Sequence, residues 1–377
     1  MVKGSIRRKW GMWSASHRFT MCLLALLSLN ANAGAAEVKQ DIDNCLPVGD
    51  RVPICRFTAP EDMEVLPLGD QLVISEYGGL EGEPGRLVAF NARSGRVYPL
   101  FPKPELTAEP SVWGDLSCSK PTASEFSPHG IHLSRRFEGQ WQLLVVNHGP
   151  RETVEFFQVQ RSDFGRYELN WRGCVTLPEK ANLNDVVALP GGGFLVSHMF
   201  PKHDDKAMQR AIAGRGRGGK LWHWDPFQGL KVVPNSRVPF ANGVQISADG
   251  RRIFLNVYLP GFVRVIDRAS GEIIKDIPVP QPDNSNWLPD GRLIVASHTG
   301  GVEQTLACSR EMRACPLAFQ LVAIDPQQLT SDIVFEQEGA PMGAGTAMQA
   351  LGEHWYIGSF IGDRLLRVPA SAAKATH

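Results

Sequence analysis

Short apolar runs separated by Gly-, Asp- and Pro-bearing turns recur along the chain, and the spacing of apolar and polar positions is that of strands rather than helices. A turn followed by an apolar strand appears as Pro67-Leu-Gly-Asp-Gln-Leu-Val-Ile-Ser75, Pro190-Gly-Gly-Gly-Phe-Leu-Val-Ser197, Ala248-Asp-Gly-Arg-Arg-Ile-Phe-Leu255, Pro289-Asp-Gly-Arg-Leu-Ile-Val-Ala296 and Leu351-Gly-Glu-His-Trp-Tyr-Ile-Gly358. Asp-Gly between apolar alternations is a strong hairpin signal. Each copy leads into a further strand: Gly85–Phe90, Lys220–Trp224, Phe262–Ile266, Gln320–Ile324 and Asp363–Val368. Gln142–Asn147 followed by Thr153–Gln158 supplies a sixth, turn-poor copy. Six such units with almost no helical periodicity predict an all-β fold, a six-bladed β-propeller with a central channel. No Pro/Ser/Gly-rich linker splits the chain, which disfavours a sandwich or two separate β domains. Residues 203–219, helix-forming and then basic and flexible in composition, interrupt the third unit as an insertion and a candidate lid.

The ends and the charge change this picture little. Lys3, Arg7, Arg8, Lys9 and Arg18 precede the apolar stretch Met21–Leu29, and Ala31-Asn-Ala33 offers a small-x-small cleavage site. Residues 1–36 are therefore expected to be a signal peptide and cleavage region, leaving 37–377 as one exported domain, periplasmic or secreted. Arg7-Arg8 fits a twin-arginine signal poorly, which leaves the export route open. No segment is long and apolar enough to predict a stable membrane span. Thirty-nine basic residues balance 39 acidic ones, so no global field invites nucleic acid. Cys22 falls in the signal; Cys45, Cys55, Cys118, Cys174, Cys308 and Cys315 remain. An even count in an exported chain points to disulfides. Cys45/Cys55 and Cys308/Cys315 are near neighbours in sequence and Cys118/Cys174 the remainder, one pairing among many. Zinc is disfavoured, since no CxxC pair is present.

In a propeller the innermost strands line the channel, so polar residues that open them converge from distant parts of the chain. Those openings are Glu61-Asp62, Pro128-His129-Gly130-Ile131, Asn182-Leu-Asn184-Asp185, Asn242-Gly243, Asp283-Asn284 and Gly345-Thr346. Glu61, Asn184, Asn242, Asp283 and Asn284 mix carboxylates with amides, the hard oxygen donors that calcium accepts six to eight at a time. Zinc, copper or iron would call for more imidazole or thiolate. Any one of these dipeptides alone is an ordinary turn; recurrence at one phase of the repeat is what singles them out.

Taken with their neighbours, these residues resemble the paraoxonase/arylesterase family. The matching stretches are Glu61–Pro67, Pro128–Ile131, Leu143–His148, Asn182–Ala188, Phe240–Gly243 with Ile246–Gly250, and Asp283-Asn284. The resemblance implies a six-bladed propeller with two stacked calcium ions. It assigns the catalytic calcium to Glu61, Asn184, Asn242, Asp283 and Asn284. The structural calcium falls to Asp62, Asp185 and the backbone carbonyl of Ile131. It also implies a histidine dyad of His129 and His148, the first activating water, and a substrate wall that includes His298. Without the resemblance, His148 would be taken for a core histidine. Two departures stand out: no cysteine follows Cys315 to close the ring, which must then rest on pairing near Ile54–Phe57, and the 203–219 insertion is polar where the family's lid is aromatic.

The chemistry follows on physical grounds as well. A calcium ion with open positions polarises an ester or lactone carbonyl, and a channel-facing imidazole removes a proton from water near neutral pH. The expected function is a calcium-dependent hydrolase of lactones or aryl esters acting on small molecules. Two alternatives stay open: a single-metal gluconolactonase-like enzyme, and a non-catalytic exported binding propeller. The paired Glu61-Asp62 and Asn184-Asp185 favour two ions over one.

Overall fold

A computed structural model describes residues 41–103, 113–308 and 310–372, all within the compact unit Lys39–His377. The signal peptide expected over 1–36 lies outside these residues. Six antiparallel four-stranded sheets follow one another. Five are simple meanders, spanning 60–101, 128–176, 183–232, 241–278 and 282–337, and are numbered here blades 1 to 5. Blade 6 joins the last three strands, within 345–369, to Val52–Cys55 from the beginning of the domain. The inner strands are Pro60–Val65, Pro128–Arg135, Leu183–Ala188, Ala241–Ile246, Pro282–Trp287 and Gly345–Leu351. Each packs against the inner strands of both neighbouring blades, and the last meets the first. The chain is therefore the six-bladed propeller its repeats predict.

Burial explains why the strands read as they do. A middle strand is covered on both faces by adjacent blades, so Leu143-Leu-Val-Val146 is continuously apolar and buried. An outermost strand such as Ile273–Pro278 is mostly exposed and tolerates Lys275 and Asp276. The core consequently lies between blades: Leu66, Val73, Leu87, Phe126, Leu143 and Phe157 interlock blades 1 and 2. Each such side chain contributes about 1.5–3 kcal/mol when fully buried.

Ring closure rests on backbone pairing, close to the expected Ile54–Phe57. Val52 lies opposite Arg367 and Cys55 opposite Arg364. The fully buried Arg364 guanidinium donates to the carbonyls of Ile42 at 2.8 Å and Pro341 at 3.0 Å, tying the N-terminal segment to blade 6. All three expected disulfides are formed: Cys45–Cys55, Cys118–Cys174 and Cys308–Cys315.

Among the described residues, two short α-helices leave the sheets. Within 203–219, α1 (Asp205–Ile212) is capped by Asp204, whose side chain accepts from the Ala207 amide at 2.8 Å. A second helix, α2 (Gly301–Ala307), has no counterpart among the sequence expectations. Both follow a second strand of their blade, α1 after Phe194–His198 and α2 after Leu293–His298.

Candidate functional site

The inner strands begin at one end of the channel, and every one of them breaks register with its neighbour there. The shifts fall between Pro60 and Asp62, Pro128 and Ile131, Leu183 and Val186, Ala241 and Val244, Pro282 and Ser285, and Gly345 and Met348. A bulge re-aims side chains. Here it brackets Glu61, His129, Asn184-Asp185, Asn242, Asp283-Asn284 and Thr346, the positions singled out from the sequence. Crowding at the hub also explains two glycines. A Cβ on Gly130 would lie 2.6 Å from the Asn184 carbonyl oxygen, and one on Gly243 2.5 Å from that of Asp283. Only glycine lets adjacent inner strands approach this closely.

Two levels of oxygens result. At the lower level, Asp62 accepts from the amides of Met63 (2.8 Å) and Ile131 (2.7 Å), and Asp185 from Val186 (2.7 Å) and Val244 (2.8 Å). Each aspartate therefore staples its own blade to the next, and Ile131 meets the hub through its N–H. Burial, then Asp185 and Glu61, push the Asp62 carboxyl well above the usual carboxylate range; Asp185 is raised likewise, chiefly by burial. At the upper level, Asn284 Nδ2 donates to Glu61 Oε1 at 2.7 Å, and the Thr346 hydroxyl donates to the Glu61 carbonyl at 2.6 Å. Glu61 Oε2 and the Oδ1 atoms of Asn184, Asn242 and Asn284 are buried without a hydrogen-bond partner. Burial and the neighbouring Glu61 hold the Asp283 carboxyl well above its ordinary value.

An unpaired buried acceptor costs about 1–3 kcal/mol, so four at one spot call for a cation. Among the described residues no group of three or more His, Cys, Asp or Glu makes a metal cage by itself. The donors here are mostly amides, and a carboxylate–amide oxygen set fits calcium rather than zinc or iron.

A second ring of residues surrounds the first. The outgoing ends of the six second strands deliver Tyr77, His148, Met199, Tyr258, His298 and Phe360 to the same end of the channel. All but His148 line a cavity of about 310 Å³ whose floor includes Glu61, Asn184, Asn242, Asp283 and His129. Its walls are apolar: Phe200, Phe240 and Leu259 join Met208 and Ile212 of α1 and Val302 and Leu306 of α2. The 203–219 insertion, polar in composition, thus turns an apolar face inward. His298 Nδ1 meets the Tyr258 hydroxyl at 2.8 Å and lies 3.8 Å from Asp283 Oδ2. Burial lowers its pKa to about 4.

On the opposite side, His129 Nδ1 is 2.8 Å from His148 Nε2, and His148 Nδ1 is 3.0 Å from both oxygens of Glu152. The Lys202 ammonium and the Leu183 amide, each at 3.0 Å, donate to Glu152. Burial raises the Glu152 carboxyl, but His148, Leu183 and Lys202 outweigh it and leave the net shift downward. Burial lowers the His148 pKa despite Glu152, so its imidazole is neutral near pH 7. An ionised Glu152 requires Nδ1–H on His148. Its Nε2 then accepts from His129 Nδ1–H, with His129 Nε2 facing Glu61 Oε1 at 3.5 Å. The Tyr77 ring stacks on His129 with centroids 4.3 Å apart.

Every residue singled out from the sequence therefore lies in the hub or its cavity wall, with His148 directly behind His129. The sequence reading missed Tyr77, Glu152, Lys202, Tyr258 and α2. A signal existed for the two tyrosines: each follows the apolar second strand at the phase that holds His148 and His298.

No family model matches the chain. It is similar to serum paraoxonase/arylesterase 1 of Homo sapiens, 28% identical over 221 residues, or 56% of this chain and 57% of the human one. The Mus musculus protein of the same name is 25% identical over 65% of this chain and 68% of its own. The chain thus spans little more than half of the human relative, and the resemblance drawn from its motifs is met by both comparisons. Among solved structures, a luciferin-regenerating enzyme superposes with a TM-score of 0.52 at 14% identity, over 86% of this chain and 97% of its own. A gluconolactonase from Xanthomonas campestris does so with a TM-score of 0.50 at 14% identity, over 85% and 89%. At such identity these two structures show the shared fold.

Proposed function

We propose that the chain is an exported, calcium-dependent hydrolase of lactones or aryl esters, with its reacting centre on the cavity floor. The observation that carries this reading is the convergence of four unpartnered buried oxygens, from Glu61, Asn184, Asn242 and Asn284, beside Nε2 of His129. With Asp283 they would hold the catalytic calcium, while Asp62, Asp185 and the Ile131 carbonyl would hold a structural one. When bound, the upper ion supplies electrophilic polarisation of a carbonyl oxygen.

The protein's own groups do the rest. His129 Nε2 takes a proton from the attacking water. The charge that develops on its ring is shared through Nδ1–H to His148 and from there to Glu152, which Lys202 and the Leu183 amide hold ionised. Tyr77 keeps the His129 ring in plane. The apolar walls take the hydrocarbon part of the substrate and exclude bulk water, which strengthens each polar contact on the floor. The names paraoxonase and arylesterase borne by the curated relatives agree with ester chemistry, and three disulfides agree with an oxidising compartment.

The test is hydrolysis of a γ-lactone and a phenyl ester before and after chelation, with calcium counted per chain by elemental analysis. Turnover lost with chelator and restored by calcium is expected. Full activity after complete calcium removal sinks the metal-dependent reading. Two bound ions with no turnover of either substrate would replace the enzyme with a binding propeller.

A further inference from the structure

The weakest-looking wall of the cavity is α2. It has seven residues, an N-cap without a side-chain hydrogen bond, and no buried residue of its own. A helix this short is marginal in water, and packing cannot hold it, since Leu306 is 67% exposed. Yet Val302, Thr305 and Leu306 line the cavity. Something other than a core fixes the helix.

Three links do so, each from a different direction. At its C-terminal end, Cys308 is bonded to Cys315, which is buried against Leu317, Ala344 and Ile361. On its inner side, the Thr305 hydroxyl is 3.3 Å from the Tyr258 hydroxyl and accepts from Gln281 Nε2 at 3.3 Å. Tyr258 in turn touches His298, which stands beside Asp283 on the floor. Beyond the helix, the Arg310 guanidinium reaches blade 1, where it donates to the Gly78 carbonyl and pairs with Glu83 at 3.3 Å. Gly78 and Glu83 belong to the loop that also carries Tyr77 and Leu80, two further residues of the cavity lining. Arg310 lies so close over Gly79 that a Cβ there would collide with it.

We propose that α2, with Cys308 and Arg310 beyond it, forms a strap across the cavity mouth that sets which substrates the site admits. The Cys308–Cys315 bond and the Arg310 clasp, rather than core packing, hold the strap in position. Val302 and Leu306 are its specificity-determining residues, and they meet the hydrocarbon portion of the substrate. This rests on the hydrolase reading for the identity of the substrate, though not for the mechanical claim. Releasing either anchor lets α2 swing outward, so small substrates lose their wall and larger ones gain room.

The experiment compares the parent with C308S/C315S and with Arg310→Met, which keeps the disulfide. Amide hydrogen exchange over 301–307, binding of the apolar dye 1-anilinonaphthalene-8-sulfonate, and kcat/KM for phenyl acetate against phenyl decanoate are measured. Exchange over 301–307 should rise at least about tenfold in both variants, with blade strands unchanged. The preference for the short ester should fall several-fold, and dye binding should change with it. Unaltered exchange over 301–307 in both variants overturns the clamp. Faster exchange with unaltered ester preference and dye binding overturns the role in selection. If the parent hydrolyses neither ester, the hydrolase reading fails by itself, and exchange and dye binding still decide the fate of the strap.

Discussion

Consecutive residues in Glu61-Asp62 and Asn184-Asp185 do opposite things in the hub. The second member of each pair has both oxygens bound to backbone amides, one of them in the next blade. The first member leaves an oxygen buried and unpartnered, as do Asn242 and Asn284. A register shift at every inner strand separates the two levels by a single residue. At the lower level every carboxylate oxygen already has a backbone partner and ties blades together; the upper level leaves oxygens that the protein does not partner and that the proposed cation would complete. One short motif therefore carries a fold determinant and, on the proposed reading, a binding determinant as well.

The largest effect should come from the lower level. Asp185→Ala strands the Val186 and Val244 amides inside the hub, and at about 1–3 kcal/mol for each orphaned group the unfolding free energy should fall by about 4 kcal/mol. Chemical denaturation in chelator is the proper measurement, because it reads the amide staples apart from any bound cation. Asn242→Ala removes an oxygen that has no protein partner, so its loss in the same experiment should be about 1 kcal/mol or less. Its turnover should fall about 10²–10³-fold, together with bound calcium. Similar denaturation midpoints for the two variants in chelator would erase the distinction between the levels.

The hub was legible because its members recur at one phase of a six-fold repeat, so each weak dipeptide gained weight from the others. The blades were legible for the same reason, with turns such as Asp249-Gly250 and Asp290-Gly291 marking hairpins. Elements whose role depends on contacts between distant segments were not. Nothing in Gly301–Ala307 announces a helix: it is too short for periodicity and is held by a disulfide and a clasp. Glu152 lies only four residues from His148, yet its function also needs Lys202, brought in from blade 3. The 203–219 insertion looked polar because charged residues outnumber Met208 and Ile212, which suffice to line a wall once α1 forms.

A buried carboxylate away from the axis supplies the control for the cation. Glu155 is fully buried in blade 2 and accepts from the Trp171 indole at 2.8 Å and the Thr153 hydroxyl at 2.5 Å. Burial outweighs these bonds and raises its pKa to about 7. A folded-state pKa above the unfolded value means that its contribution to stability is fully present below about pH 4.5 and is lost as pH rises through about 7. Glu155→Gln should therefore leave stability near pH 4.5 almost unchanged. At pH 8 it should add about 3 kcal/mol, the free energy that separates a carboxyl titrating at about 7 from one titrating at its ordinary value. The gain should be the same with calcium and in chelator. A gain that vanished on adding calcium would show that Glu155 is coupled to the hub, and the clean separation of levels would fail.

The smallest effect expected is the most diagnostic of how the upper level works. Glu152 touches neither the proposed cation donors nor the cavity floor; in the proposed mechanism it acts through His148 by dictating which nitrogen carries the proton. Glu152→Gln keeps the shape but can offer its NH₂ to His148 Nδ1, which reverses the tautomer and leaves His129 Nε2 protonated. Turnover should fall about 10–100-fold with KM and bound calcium unchanged, and the acid limb of the pH–rate profile should move. Lys202→Met, which leaves the carboxylate in place, should shift that limb less than Glu152→Gln does. A structural role alone would lower the melting temperature in both variants without touching the profile, so a fixed acid limb with normal calcium content would remove Glu152 from the mechanism and leave His129 acting alone.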